Sequence, residues 1–224
     1  MTRTSLFDHI KAVALFVLIV LAALLRAHPG EAAGTETLTV AGGCFWCVES
    51  DFESVPGVVD AVSGYTGGTL ENPTYKQVTR GGTGHFEAVQ ITFDPVKVSR
   101  QTLLNMFFRS VDPTDAGGQF CDRGDSYRTA IFVSNTAENV MAEQAKEEAQ
   151  KQLGQPVVTP ILPESTFYHA EAYHQDYYKG ENLVLTRFGP KRQSGAYKAY
   201  RKACKRDERV RELWGRAAPF AAGY

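Results

Sequence analysis

Residues 37–57, TLTVAGGCFWCVESDFESVPG, decide how the chain begins to fold. TLTV alternates as a short strand does and runs into Gly42-Gly43, a glycine turn. From Cys44 onward Phe45, Val48, Phe52 and Val55 recur at helical spacing, with Glu49, Asp51 and Glu53 elsewhere on the wheel; Pro56-Gly57 then stop the helix. A strand, a tight turn and a helix start therefore place a cysteine at the junction.

Reading outward, VVDAVSGYTGG is a strand ending in a glycine-rich loop, and ENPTYKQVTRGGTGH is loop around a short helix. FEAVQITFDP alternates cleanly up to Asp94-Pro95, and SRQTLLNMFFRSV is an amphipathic helix with Ser99 as its cap. DPTDAGGQFCDRGDSY is a long polar loop, TAIFVS a strand, 137–153 a strong helix capped from Ser134, Asn135 or Thr136, VVTPILP a strand, and 196–214 a helix. Helices and strands alternate but strands are few, so the expected class is α/β, a compact two-layer sandwich with helices on a mixed sheet.

The 224 residues carry a formal net charge of −1, enough chain for one full core and no basic footprint for nucleic acid. The one basic cluster, Lys191 to Arg211, is interleaved with Asp207 and Glu208 as a solvated helix face is. Residues 1–33 read as a signal peptide, with an apolar core from Ala12 to Leu25 and cleavage after Ala32 or Ala33, or else as an uncleaved N-terminal membrane anchor. The remaining domain, 36–216, is then expected outside the cytoplasm, periplasmic or anchored facing the periplasm. In that compartment four cysteines can form staples, yet a chain of this size holds a core without them, so redox chemistry is an equal reading.

Cys44 stands where unpaired N–H groups and the helix dipole favour a thiolate, which makes it a candidate nucleophile; the alternative is a packed cysteine. Cys47 lies one turn on, so a thiol-disulfide oxidoreductase using Cys44 and Cys47 is a rival reading, although the bulky Phe45 and Trp46 between them are not needed for exchange. Glu87 shares a strand face with Val89, Ile91 and Phe93; burial there would keep it protonated, as a general acid requires. A metal site from Cys44, Cys47, Cys121 and His85 lacks the second close pair that zinc uses, and His169, Glu171, His174 and Asp176 do not reproduce HExxH. No metal is expected.

GCFWC, GYTGG, NPTY, GHFEAV, ITFDP, DPTDAGGQFCDRGDSYR and YHQDYY occur in one order and resemble the class A peptide methionine sulfoxide reductases over roughly Leu38 to Tyr178, an agreement far beyond a single motif. The resemblance implies a ferredoxin-like core with extended, loop-rich termini. It implies thiol-dependent reduction of the S epimer of methionine sulfoxide, free or in proteins, by a monomer with no cofactor beyond an external thiol, thioredoxin-like or dithiothreitol. Carried over by residue, Cys44 attacks sulfur and becomes a sulfenic acid, and Phe45 and Trp46 hold the substrate methyl. Glu87 gives the oxygen a proton, Tyr75 and Tyr127 hydrogen-bond that oxygen, and Asp122 organises the site. A second cysteine resolves the sulfenic acid. The usual glycine-rich tail is absent, and the candidates in order are Cys204, on a mobile terminal segment, then Cys47, then Cys121.

Overall fold

A computed structural model describes residues 34–221; the expected signal peptide or anchor over 1–33 lies outside the described residues. The chain runs β1 (Glu36–Gly42), α1 (Phe45–Glu53), β2 (Val58–Thr66), α2 (Tyr75–Arg80), β3 (Phe86–Phe93) and α3 (Arg100–Phe108). A small hairpin, β4 (Gly118–Gln119) and β5 (Asp122–Arg123), and a 3-10 turn at Asp125–Tyr127 occupy the long polar loop. Then follow β6 (Thr129–Val133), α4 (Thr136–Leu153), β7 (Ile161–Pro163), β8 (Tyr168–His169), a hairpin of β9 (Leu183–Thr186) and β10 (Gly189–Arg192), α5 (Gln193–Ala203) and α6 (Arg206–Trp214).

Six strands form one sheet in the order β7-β6-β1-β3-β2-β8, antiparallel throughout except for the β6–β7 pair. Its centre, β6-β1-β3-β2, with α1 joining β1 to β2 and α3 lying between β3 and β6, is the expected ferredoxin-like arrangement. Pairing Val40 with both Val89 and Ile131 puts the three apolar strand faces on one side. Phe45, Val48 and Phe52 of α1 join that core, each worth about 1.5–3 kcal/mol when fully buried. The opposite face is built of small residues, Ala41, Ala88 and Ala130, roofed by Phe86 and Phe132. A side chain at Gly64 would meet the Phe167 ring at 2.4 Å, so only glycine admits that covering strap.

Two expectations change. The helix expected over 196–214 is two helices, because Cys204 ends α5 and Lys205 turns through φ 57° before α6 starts. VVTPILP is strand only at Ile161–Pro163, since β6 offers it just a short parallel edge. Register and capping agree: Ser99 accepts from the Thr102 N–H, and Glu87 lies on the buried face opposite Tyr65.

Candidate active site

The site is assembled around the turn between β1 and α1. Gly43 has φ 80°, and a Cβ there would sit 2.5 Å from Cβ of Gln119, so the turn requires glycine both for conformation and for space. Gln119 is fully buried and is itself fixed, accepting from the Asp112 N–H at 2.9 Å and donating to its carbonyl at 2.8 Å. Cys44 then caps α1 and Phe45 is the first helical residue.

The Phe45 N–H, one of the free donors of the helix start, donates to Oε2 of Glu87 at 3.1 Å. The other oxygen, Oε1, is buried and without a hydrogen-bond partner among the described residues. Burial pushes the Glu87 carboxyl up to about 8, opposed by the Phe45 hydrogen bond and reinforced by the charge of Asp122. At neutral pH the group therefore holds a proton, with one face free.

Cys44 departs from the thiolate expected of a helix terminus. Hydrogen bonding to Cys47, burial, and the negative charges of Cys47, Glu87 and Asp122 push it well above the usual thiol range. Cys47 moves the other way: the Cys44 hydrogen bond lowers it most, and Arg206 and Arg201 add to that against the effect of burial. At Cys44 the hydrogen bond to Cys47 and burial outweigh the helix dipole, so its resting side chain is a neutral thiol.

Tyr75 and Tyr127 flank the acid; burial first and the Glu87 charge second raise both phenols, leaving them as donors. Asp122, on β5, is raised by burial, while hydrogen bonding from Tyr200 opposes the shift. The Phe45 ring lies 6.3 Å from that of Tyr75 and 5.0 Å from His174. Trp46 stacks on Tyr177 at 3.8 Å and 5° and meets Tyr200 edge-on.

Several members of the site were not singled out from the sequence. His174 accepts from the Trp46 indole N–H at Nδ1, 3.2 Å, and burial lowers it to about 4, so it stays neutral. Glu171 accepts from the Tyr65 hydroxyl at 2.8 Å and the Tyr75 N–H at 2.9 Å, pinning both. His174 and Glu171 fall in the cluster whose spacing does not reproduce HExxH; the YHQDYY motif includes His174, and no motif pointed to Glu171. Arg201 and Arg206, behind the thiols, were read as a solvated helix face and are buried: Arg201 pairs with Asp51 at 2.7 Å, and Arg206 donates to the carbonyls of Gly42 and Ser110.

The cysteines fall into two pairs. Cys44 and Cys47 are free and buried; Cys121 and Cys204 form a disulfide with Cα atoms 5.0 Å apart. Cys204 thus lies at a helix end, tied to the β4–β5 hairpin, not on the mobile segment expected of it. The metal reading also loses its ligands. Cys121 is bonded to sulfur, and His85 uses both ring nitrogens, one on the Leu70 carbonyl and one on the Gly68 N–H.

A cysteine beside a second thiol and a neutral carboxylic acid, all out of water, is equipped for sulfur redox chemistry, and with the ferredoxin-like sheet it defines a cysteine-based oxidoreductase. The family described as peptide methionine sulfoxide reductase matches residues 36–217, and the chain belongs to it. Peptide methionine sulfoxide reductase MsrA 2 of Caulobacter vibrioides is 50% identical over 197 residues, 87% of this chain and 94% of that protein. Its namesake from Rhizobium meliloti is 46% identical over 187 residues, 84% of this chain and 87% of that one. Among solved structures, reduced Mxr1 of Saccharomyces cerevisiae superposes with a TM-score of 0.63 at 32% identity, covering 66% of this chain and 87% of that one. Methionine sulfoxide reductase A of Corynebacterium diphtheriae gives 0.59 at 31%, covering 69% and 76%. The enzyme is accordingly an oxidoreductase that reduces methionine sulfoxide to methionine with thiols.

Proposed function

We propose that this enzyme reduces the S-sulfoxide of methionine, free or in proteins, at Cys44, with Glu87 as the proton donor and Cys47 as the resolving thiol. The observation that carries this is the Glu87 carboxyl: one oxygen is held by the residue after Cys44, the other is free and buried. Such an acid delivers its proton to a substrate oxygen lying between it and the two phenols, making sulfur electrophilic. Cys44 forms the S–S bond to the substrate, the S–O bond transfers to Cys44 as sulfenic acid, and methionine leaves. The Cys44 thiol proton replaces the one that Glu87 gave. Trp46 and Phe45 receive the methyl group, a contact that suits a polarizable sulfur.

Cys47 rises above Cys204 in the order of resolving thiols, because it is free, one helical turn away and lowered toward thiolate by the Cys44 hydrogen bond first and by two buried arginines after it. Its attack on the sulfenic acid releases water and leaves Cys44–Cys47 as a disulfide, which an external thiol of thioredoxin type reduces; no other cofactor takes part, and the enzyme works as a monomer. Its place is outside the cytoplasm, directed by residues 1–33, where it repairs exported proteins; cell fractionation of the full chain tests that placement.

Cys44→Ser should abolish conversion of methionine S-sulfoxide. Cys47→Ser should still release methionine in one turnover but leave a sulfenic acid that dimedone labels at Cys44. Turnover by the Cys44 variant, or equal consumption of the R epimer, would sink the reading.

A further inference from the structure

We propose that Cys121–Cys204 is a second redox site, through which an external protein dithiol passes electrons inward to Cys44 and Cys47. The proposal rests on the reductase reading above and adds to it the port by which the enzyme is recharged.

Access comes first. Cys44 is 7% exposed and Cys47 2%, roofed by Trp46, Tyr177 and Tyr200, whereas Cys121 sits exposed at the tip of the β4–β5 hairpin. Of the two pairs, the outer one offers the more open sulfur to a folded dithiol protein.

Contiguity comes second. The Cys121 sulfur lies 3.9 Å from the Tyr200 hydroxyl, and Tyr200 packs with the cluster of Cys44, Cys47 and Tyr197. Tyr197, Tyr200 and Cys204 follow one another at helical spacing, so Cys204 ends the very face of α5 that covers the inner thiols. One tyrosine ring separates the two cysteine pairs.

A purely structural staple is poorly motivated here. The hairpin is already held by Gln119 on Asp112 and by the Arg206 guanidinium, 4.8 Å from the Phe120 ring centre.

The exchange balances as two-electron steps. A donor thiolate attacks Cys121 and expels Cys204, and the donor's second thiol then releases Cys121, leaving the donor as a disulfide. Cys204 attacks Cys44 in the inner disulfide and expels Cys47, whose thiolate Arg206 and Arg201 favour. Cys121 then attacks Cys204, frees Cys44 and restores the outer disulfide. An inner pair of thiols beside an outer disulfide is the state that this transfer leaves.

The test counts electrons. Full-length enzyme is fully reduced with dithiothreitol, desalted, and given excess methionine S-sulfoxide with no reductant. The four-thiol chain should release about two equivalents of methionine, and Cys121→Ser/Cys204→Ser about one. With thioredoxin as donor, Cys121→Ser should lose about tenfold or more in turnover while its dithiothreitol-supported turnover stays within about twofold. One equivalent from the unaltered chain, two from the double variant, or undiminished thioredoxin-supported turnover would overturn the relay alone. No methionine from either chain would overturn the reductase reading beneath it.

Discussion

Glu87 acts through what it lacks as much as through what it holds. A carboxyl with both oxygens satisfied would be a structural group; this one keeps a buried oxygen unpartnered and a pKa near 8. Single-turnover sulfoxide reduction should therefore fall as pH rises through about 8, when the proton is lost. Glu87→Gln should slow it roughly 10²-fold or more at neutral pH and abolish that alkaline decline, with Cys44 alkylation preserved. A Gln variant that keeps the decline would assign the proton to another group. Glu87 was legible because its strand neighbours at every second position are apolar, a local pattern. His174 was not, since the indole it orients lies 128 positions away and nothing within its own segment records the pairing.

At the scale of elements, the glycine turn feeding α1 and the hairpin beneath it behave as one part. Gly43→Ala adds left-handed strain of about 1–2 kcal/mol and drives Cβ into Gln119, so it should cost more than that strain in stability and most of the activity. Asn135→Ala is the contrast: its side chain caps α4 at the Glu138 N–H, 3.0 Å, far from the thiols, and its loss should cost about 1 kcal/mol without changing turnover. Chemical denaturation beside an activity assay distinguishes the two; an Asn135 variant that lost activity would mean that α4 supports the site. Strands and helices of the first hundred residues could be read because each buries one face of a regular period. The charged stretch near Cys204 could not. Arg201 and Arg206 look like surface residues until Asp51 and the Gly42 and Ser110 carbonyls supply buried partners, and those partners are fixed by tertiary contact.

Over the whole molecule, buried charge joins the C-terminal helices to the sheet. Asp51 lies among Arg201 and Arg206, with Asp207 completing the set at 2.6 Å from Arg201. Asp51→Ala leaves buried arginine charge uncompensated and should destabilise by about 3–5 kcal/mol; a loss under about 1 kcal/mol would show that water reaches the cluster. Titration sets the limits of stability on either side. Glu87, at about 8, and Glu49, raised by burial to about 7, contribute stability that is complete below the ordinary glutamate range and lost as pH rises through those values. His174, lowered to about 4, contributes stability present above the ordinary histidine range and lost as pH falls through its own value. Thermal unfolding should show both limbs, and Glu87→Gln should blunt the alkaline one. The clasp of Arg206 on Gly42 also sets an order in time. Gly42 is synthesised 164 positions before the arginine that closes over its carbonyl, a delay of roughly 10–30 s at about 5–20 residues per second. Tyr177 and Tyr200, which roof Cys44, come almost as late, so each new molecule carries that cysteine uncovered through most of its synthesis, open to oxidants until α5 arrives.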